Sequence, residues 1–285
     1  MLDKNTRSDK TVTLKFETFV GLSEENRFVD IKLCFDNLAK DHRLRMFIPT
    51  GIDRDEYFSG QAFYCCQRKT GVDPESGEWY EADKCEKSTN GIVGKRDENG
   101  NGLAFISANG LHECAAFDDE DGTIAITLLR SFRRTVRTAG ETKCQLNIPL
   151  EYSFILAPTD SDVSYCDMLK IQDSLAQDPA VIFTTVPCKT PTKPSKSRLK
   201  IGGNNIVTSI VKKAESDEDN AIIIRVFNAS DKETTGFINT EKIIERAEIT
   251  NLNEEKICDI EAESNSLDFS LSPWKIGTFK IYFRR

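Results

Sequence analysis

The sequence is poorest in the residues that metal chemistry uses. Only two histidines, His42 and His112, stand among 285 residues. The nine cysteines (Cys34, Cys65, Cys66, Cys85, Cys114, Cys144, Cys166, Cys188 and Cys258) are odd in number and include no Cys-x-x-Cys pair. A structural zinc site draws four ligands, usually from closely spaced pairs, so the pattern argues for mostly buried, reduced thiols. No run of about 18 apolar residues occurs, so no segment is expected to span a bilayer. The start, MLDKNTRSDK, is polar and lacks the apolar core of a signal peptide, and a cytoplasmic setting is expected. Positive charge is in deficit: 38 Lys and Arg against 46 Asp and Glu give −8 and a pI near 5.1. That disfavours a broad nucleic-acid or anionic-membrane surface and leaves room only for a local basic patch. There is no Gly-x-Gly-x-x-Gly after a strand, no Walker motif, no Gly-x-Ser-x-Gly elbow and no His-Glu-x-x-His. Gly202-Gly203 reads as a turn. Glycoside hydrolysis needs two carboxyl groups about 5 Å or somewhat further apart. With 46 acids such a pair can be built, yet no spacing nominates one. No catalytic, cofactor-binding or metal-binding residue is therefore assigned in this chain.

What the sequence has is alternation. Its centre is Asn101 to Arg134, NGLAFISANGLHECAAFDDEDGTIAITLLRSFRR. Leu103 to Ser107, Leu111 to Phe117 and Thr123 to Leu129 read as successive strands, joined at Asn109-Gly110 and Asp121-Gly122, dipeptides that tolerate positive φ. The third strand carries Ile124, Ile126 and Leu128 on one face and Thr123, Thr127 and Leu129 on the other, which suits the interior of a sheet. A large antiparallel sheet built outward from this meander is expected. Upstream, Thr11 to Val20, Phe28 to Phe35 and Arg43 to Ile48 alternate as amphipathic strands, the last ended by Pro49-Thr50-Gly51.

Residues 50–100 read as an irregular surface excursion with apolar patches at Phe58 to Cys65 and at Trp79-Tyr80, either simple cover for a sheet or an extended binding lip. Tyr152 to Leu156 resumes as a strand. Asp162 to Ala176 is the best helix, with Asp162 as its cap and Tyr165, Met168, Leu169 and Leu175 as its apolar side. Val181 to Val186 is β-like. Cys188 to Arg198, CKTPTKPSKSR, reads as a linker and marks the domain boundary. Beyond it, Ile206 to Val211, Ala221 to Phe227, Ile243 to Thr250, Leu267 to Leu271 and Phe279 to Phe283 are strands, as in a second β-sandwich, with an acidic turn at residues 215–220.

Several residues could carry chemistry. Arg130, Arg133, Arg134 and Arg137 could grip an anionic sugar, a phosphate or a partner domain, or form a solvated edge paired with the many acids. His112 and Glu113 point to opposite faces of their strand. His112, sharing a face with Cys114 and Ala116, reads as a partly buried, hydrogen-bonded histidine or as a ligand contact; Glu113 could hold a sugar hydroxyl. Asp41 with His42 could form an acid–base pair, although no nucleophile is specified nearby. Arg43 and Arg45 share a face and could bind an acid or another domain. Asp118, Asp119, Glu120 and Asp121 lack the EF-hand spacing and read as a solvated turn. Trp79 and Trp274 read as packing groups; exposed Trp79, Tyr80 or Trp274 would instead suit stacking on a sugar.

Taken together, several stretches resemble glycoside hydrolase family 38 α-mannosidases. Asp41 to Gly51, DHRLRMFIPTG, with Asn37 upstream, resembles that family's "DHRLR…PTG" strand and turn. The meander is similar to its "GLA…GLHEY…DGTLAITLLRS" region, and Ile222 to Asn228, IIIRVFN, after Val211 to Glu215, resembles its "K-x-A-E…I-L-R-x-Y/F-N" segment. Ala247 to Glu255 and the closing LSPWKIGTFKIYF also fit. The chain departs at residues 60–68, where many relatives carry a Ser-x-Phe and Arg-Pro pattern, and at Cys114, where they carry tyrosine.

The resemblance covers essentially the whole chain and implies the family's β-rich C-terminal half. The implied fold is mainly β: an antiparallel, galactose-mutarotase-like super-sandwich over residues 1–190, followed by a smaller C-terminal β-sandwich over 191–285 that shares strands with it or stands alone. The family hydrolyses α-mannosidic bonds with retention, using zinc and an aspartate nucleophile in an N-terminal barrel. The resemblance therefore implies a non-catalytic portion of such an enzyme, inactive alone. Its partners would be that barrel, a carbohydrate substrate and further copies in a homo-oligomer, with no nucleic acid and no membrane. No cofactor is implied in these residues, and zinc belongs to the barrel. The alternatives are an autonomous carbohydrate-binding module and a mutarotase-like or hydrolytic enzyme.

Overall fold

The computed structural model describes residues 9–24, 26–108, 110–133, 143–176, 197–216 and 220–284. The chain is almost entirely antiparallel sheet, with one α-helix among the described residues. The strands are β1 (Phe16–Leu22), β2 (Val29–Asp36), β3 (His42–Ile48), β4 (Glu56–Gln61), β5 (Tyr64–Lys69), β6 (Lys87–Ser88), β7 (Ile92–Arg96), β8 (Gly102–Ser107), β9 (Glu113–Ala116), β10 (Ile124–Ser131) and β11 (Pro149–Thr159). After the helix α1 (Tyr165–Ala176) come β12 (Leu199–Gly203), β13 (Ile206–Lys213), β14 (Ala221–Asn228), β15 (Thr234–Thr240), β16 (Ile244–Thr250), β17 (Lys256–Ile260), β18 (Ser266–Leu271) and β19 (Ile276–Phe283). Among the described residues no helix is long and apolar enough to cross a membrane.

Contacts divide the chain into two compact units: Met1–Val163 with Ile171–Gln177, and Ser164–Lys170 with Asp178–Arg285. In the first, a seven-stranded sheet, β1-β2-β11-β8-β7-β4-β5, faces a four-stranded sheet, β3-β10-β9-β6. Leu33, Phe35, Val93, Phe105 and Phe154 of the larger sheet pack with Ile48, Cys114, Ala116, Ile124 and Ile126 of the smaller. In the second, a three-stranded sheet, β12-β15-β18, and a five-stranded sheet, β13-β14-β19-β16-β17, enclose Ile224, Val226, Ile238, Leu267, Phe269, Phe279 and Ile281.

The expected meander does not form one sheet. β8 belongs to the seven-stranded sheet, and β9 and β10 belong to the four-stranded one. Both edges of β8 are taken, by β7 and β11, so no ladder remains for β9, and the chain crosses between layers near Gly110. The Asp121-Gly122 hairpin does form, with Ile124 opposite Ala116. β10 lies inside its sheet, and a bulge between Thr127 and Leu129 turns both Leu128 and Leu129 into the core.

Residues 50–100 are not irregular; they supply β4, β5, β6 and β7. The strand expected from Thr11 starts only at Phe16, and Val12 is exposed. Gly202-Gly203 is not a turn but the end of β12, and β15 and β17 add strands that the alternation does not announce. The helix is capped by Ser164 rather than Asp162. The Asp167 N–H donates to the Ser164 hydroxyl at 3.1 Å, and the Ser164 N–H donates back to the Asp167 carboxylate at 3.1 Å. Val181 to Val186, nearly all of the Cys188 to Arg198 linker, Arg134 and Arg137 lie outside the described residues.

Candidate functional site

Of the surfaces in the first unit, one cleft gathers the residues singled out above. It has a volume of about 400 Å³ and is lined by Asp41, His42, Arg43, Arg130, Ser131, Phe132 and Arg133. The register places them: His42 lies opposite Ser131, and Arg43 opposite Arg130, where β3 begins and β10 ends. Asp41 precedes β3 with a positive φ of 53°.

Each arginine is answered by a carboxylate. Arg133 meets Asp41 at 3.1 Å, Arg130 meets Glu113 at 2.9 Å, and Arg43 meets Glu86 at 2.5 Å. Arg45 reaches Glu86 at 3.5 Å, and Arg43 reaches Glu113 at 3.8 Å. Glu113 also accepts from the Thr127 hydroxyl at 2.6 Å. Glu113 therefore faces away from the core that takes Cys114 and Ala116, but its oxygens are spent on Thr127 and arginines. The arginines form intramolecular ion pairs while keeping exposed guanidinium edges, so the cleft is a donor-rich surface suited to hydroxyl or anionic groups.

Beneath the cleft sits Gln145, buried, which sequence reasoning overlooked. Its side chain accepts from the Asp41 N–H at 2.9 Å and the Ser131 hydroxyl at 2.7 Å, and donates to the Asp41 carboxylate at 2.8 Å. That last bond, with Arg133 beside it, holds the Asp41 carboxyl below the usual range. For Glu86, burial pushes upward, but the bond from Arg43 and the charges of Arg43 and Arg45 outweigh it, and the group stays low. Both are fixed as carboxylates and are poorly suited to donate a proton near neutrality. Neither Gln145 nor Glu86 carries a local signal, because their partners lie about a hundred and about forty residues away in the chain.

The histidines are not brought together. The His42 ring nitrogens are buried without hydrogen-bond partners, and burial lowers its pKa. Asp41 spends its carboxylate on Gln145 and Arg133, so the suggested Asp41–His42 pair is not made. His112 is exposed, not partly buried, and its Nδ1 lies 3.3 Å from the Thr89 carbonyl. Among the described residues no three His, Cys, Asp or Glu side chains converge in a way that could hold a metal ion. Of the acidic hairpin, Asp119 caps its own turn by accepting from the Thr123 N–H at 2.7 Å.

A second feature is the loop at residues 73–87. Asp73 caps a short 3₁₀ turn, Pro74–Glu78, by accepting from the Glu75 N–H at 2.8 Å. Asp83 accepts from the Asp73 N–H at 3.1 Å and pairs with Lys87; the Lys87 bond above all pushes its pKa down to about 2. From this braced loop Trp79 and Tyr80 project into solvent, Tyr80 completely. Trp79 is thus not the packing group expected, whereas Trp274 is half-buried with its ring 6.2 Å from that of Tyr165.

Comparison with known proteins adds to this geometry. Residues 205–279 match the family model described as the glycosyl hydrolases family 38 C-terminal beta sandwich domain. Those residues are a family 38 C-terminal β-sandwich domain. The domain spans β13 to β19 but for the end of the last strand, and takes in the IIIRVFN segment; DHRLRMFIPTG and the meander fall outside the matched residues. By fold, the chain is similar to the crystal structure of an alpha-mannosidase from Enterococcus faecalis V583, with TM-score 0.78 and 20% identity, over 96% of this chain and 29% of that one. A glycosyl hydrolase family 38 protein from Enterococcus faecalis gives TM-score 0.76 and 19% identity, over 96% of this chain and 30% of that one. The chain thus spans about 30% of the length of the proteins it superimposes on. No curated protein sequence matches.

Proposed function

We propose that this chain is the β-rich, non-catalytic portion of an α-mannosidase-type glycoside hydrolase. One observation carries the reading: 96% of the chain superimposes on part of an alpha-mannosidase, in company with the family 38 sandwich domain at 205–279. In this reading residues 1–190 form the galactose-mutarotase-like super-sandwich and 191–285 the second sandwich. Together they brace a catalytic barrel, in a cytoplasmic enzyme that trims α-mannosides. The arginine cleft at β3 and β10 supplies donors at the margin of that assembly. Zinc chemistry belongs to the barrel; the described residues offer no donor set that fits the ion. The test is direct. The purified chain does not hydrolyse a chromogenic α-mannoside, with or without added zinc. Zinc-dependent turnover by a homogeneous sample overturns the proposal.

A second reading, an autonomous carbohydrate-binding module, is favoured by Trp79 and Tyr80, exposed on a loop held in place by Asp73 and Asp83. Aromatic rings presented at little ordering cost suit stacking on a sugar face. Calorimetric titration with mannan decides it: binding that Trp79→Ala abolishes supports the module, and no heat from the unaltered chain ends it.

A further inference from the structure

The acceptor signal for asparagine-linked sugar, Asn-x-Ser/Thr with x other than proline, occurs once in the 285 residues, at Asn228-Ala229-Ser230. Such a signal ordinarily lies on a surface loop, because the attached sugar is bulky and hydrated. Here it begins at the last residue of β14, an interior strand between β13 and β19. Asn228 is fully buried and Ala229 nearly so. The cover comes from this chain itself, so further polypeptide does not undo it.

Both polar atoms of the Asn228 side chain are engaged. Its Nδ2 donates to the carbonyls of Lys232 at 2.6 Å, Leu271 at 3.1 Å and Ser272 at 3.1 Å. Its Oδ1 accepts from the Ser230 N–H at 3.1 Å and the Ser230 hydroxyl at 2.9 Å. The backbone adds to this: the Asn228 N–H donates to the Lys275 carbonyl at 3.0 Å, and the Trp274 N–H to the Ser230 carbonyl at 3.2 Å. Asn228 thus ties residues 228–232 to residues 271–275. A sugar on Nδ2 would remove one of the two hydrogens shared among three carbonyls and add a ring where the packing leaves no opening. The folded chain offers neither a free amide nor a free Ser230 hydroxyl. The unfolded chain offers both, and Leu271 and Ser272 follow Asn228 by 43 and 44 residues in the order of synthesis.

We propose that Asn228 is an acceptor for asparagine-linked sugar that is open only before the second unit closes, so that sugar transfer and folding exclude each other. In transfer from UDP-glucose, Nδ2 bonds to the anomeric carbon and that carbon's bond to the diphosphate breaks. One amide hydrogen leaves as a proton, and UDP departs. The modified chain leaves the carbonyls of Lys232, Leu271 and Ser272 short of a donor and cannot seat residues 271–275 against β14. The fold therefore survives only where the growing chain meets no such transferase. This stands apart from the mannosidase reading, because it depends on the sandwich alone.

Cell-free translation of the full 285-residue chain in reducing buffer tests this, with a soluble asparagine glucosyltransferase and UDP-glucose as the probe. With both present from the start, intact-mass analysis is expected to find one added hexose, confined to chains that aggregate or fall to brief trypsin digestion. The soluble, resistant chains carry none. Adding enzyme and UDP-glucose after folding leaves the mass unchanged. Ser230→Ala removes the acceptor hydroxyl and abolishes the modification, whereas Ser230→Thr, which keeps a hydroxyl, retains it. Hexose on Asn228 in soluble, protease-resistant protein overturns the proposal, as does modification of the chain once folded. So does a chain that takes no sugar although the enzyme is present throughout.

Discussion

Each unit of the molecule buries a charge, and the two are satisfied in opposite ways. In the first, Lys95 of β7 is fully buried, and its ammonium donates to the backbone carbonyls of Arg54 at 2.8 Å and Phe117 at 2.9 Å. In the second, Glu248 of β16 is met by side chains: Arg246 at 2.6 Å, Lys256 at 3.7 Å and the Tyr282 hydroxyl at 3.3 Å. Lys95 fastens two loops, 41 and 22 residues away in sequence, to the centre of a sheet. Glu248 organises a sheet face through partners that can re-form with water. A fixed carbonyl cannot follow a lost donor, whereas a long cationic side chain can.

Lys95 is therefore where the difference is largest. Burial pulls its pKa down, against the charges of Asp119, Asp118, Asp53 and Asp55, which favour the ammonium. Lys95→Ala removes a filled volume and strands two carbonyls, at a cost of about 3–5 kcal/mol. Glu248→Ala is expected to cost less, about 1–3 kcal/mol, because Arg246 and Lys256 swing to solvent. Urea midpoints of the two variants measure the gap. Equal losses would break the contrast between backbone and side-chain satisfaction.

How much was legible follows from one recurring device. The alternating strands β2 and β3 and the apolar interior strands β10, β14 and β19 were readable because their patterns are local. Of the strands that were not, three carry a glycine that faces an aromatic ring. Gly94 of β7 lies opposite Phe58, Gly202 of β12 opposite Phe237, and Gly236 of β15 opposite Phe269. In every case the facing ring covers the place where a Cβ would stand. Read along the chain, such a glycine marks a break; read across the sheet, it is a socket for an aromatic ring. The cleft was half legible for the same reason. DHRLR and the arginines at the end of β10 and just beyond it stand out locally, whereas Glu86, which pairs with Arg43, and Gln145, which holds Asp41, are distant in sequence. Gly94→Ala tests the device: the new methyl group displaces Phe58 and approaches the Leu103 carbonyl, costing about 1–3 kcal/mol, seen as a lower melting temperature.

His42 sharpens the contrast between buried charge and buried neutrality. Its nitrogens are enclosed without partners, and burial sets its native pKa below the ordinary 6.5. The unfolded chain then binds the proton more readily than the native one. Stability is therefore complete above pH 6.5 and falls as the pH drops through the native pKa. Melting temperatures at neutral and mildly acidic pH should differ less in His42→Phe than in the unaltered protein. A slope that survives the substitution assigns the titration to another group.

The smallest effect is expected where the ion pairs look most numerous. Arg130 meets Glu113 at 2.9 Å, but its side chain is 59% exposed. When Arg130 is replaced by alanine, Glu113 keeps the Thr127 hydroxyl at 2.6 Å and Arg43 at 3.8 Å. No buried group is stranded, and water takes the vacated position. Exposed pairs of this kind contribute about 0–1 kcal/mol and are screened by salt. Arg130→Ala should therefore shift the urea midpoint barely at all. A loss approaching that of Glu248→Ala would mean that the cleft is a coupled network, its arginines held in place for stability rather than left free to meet a partner.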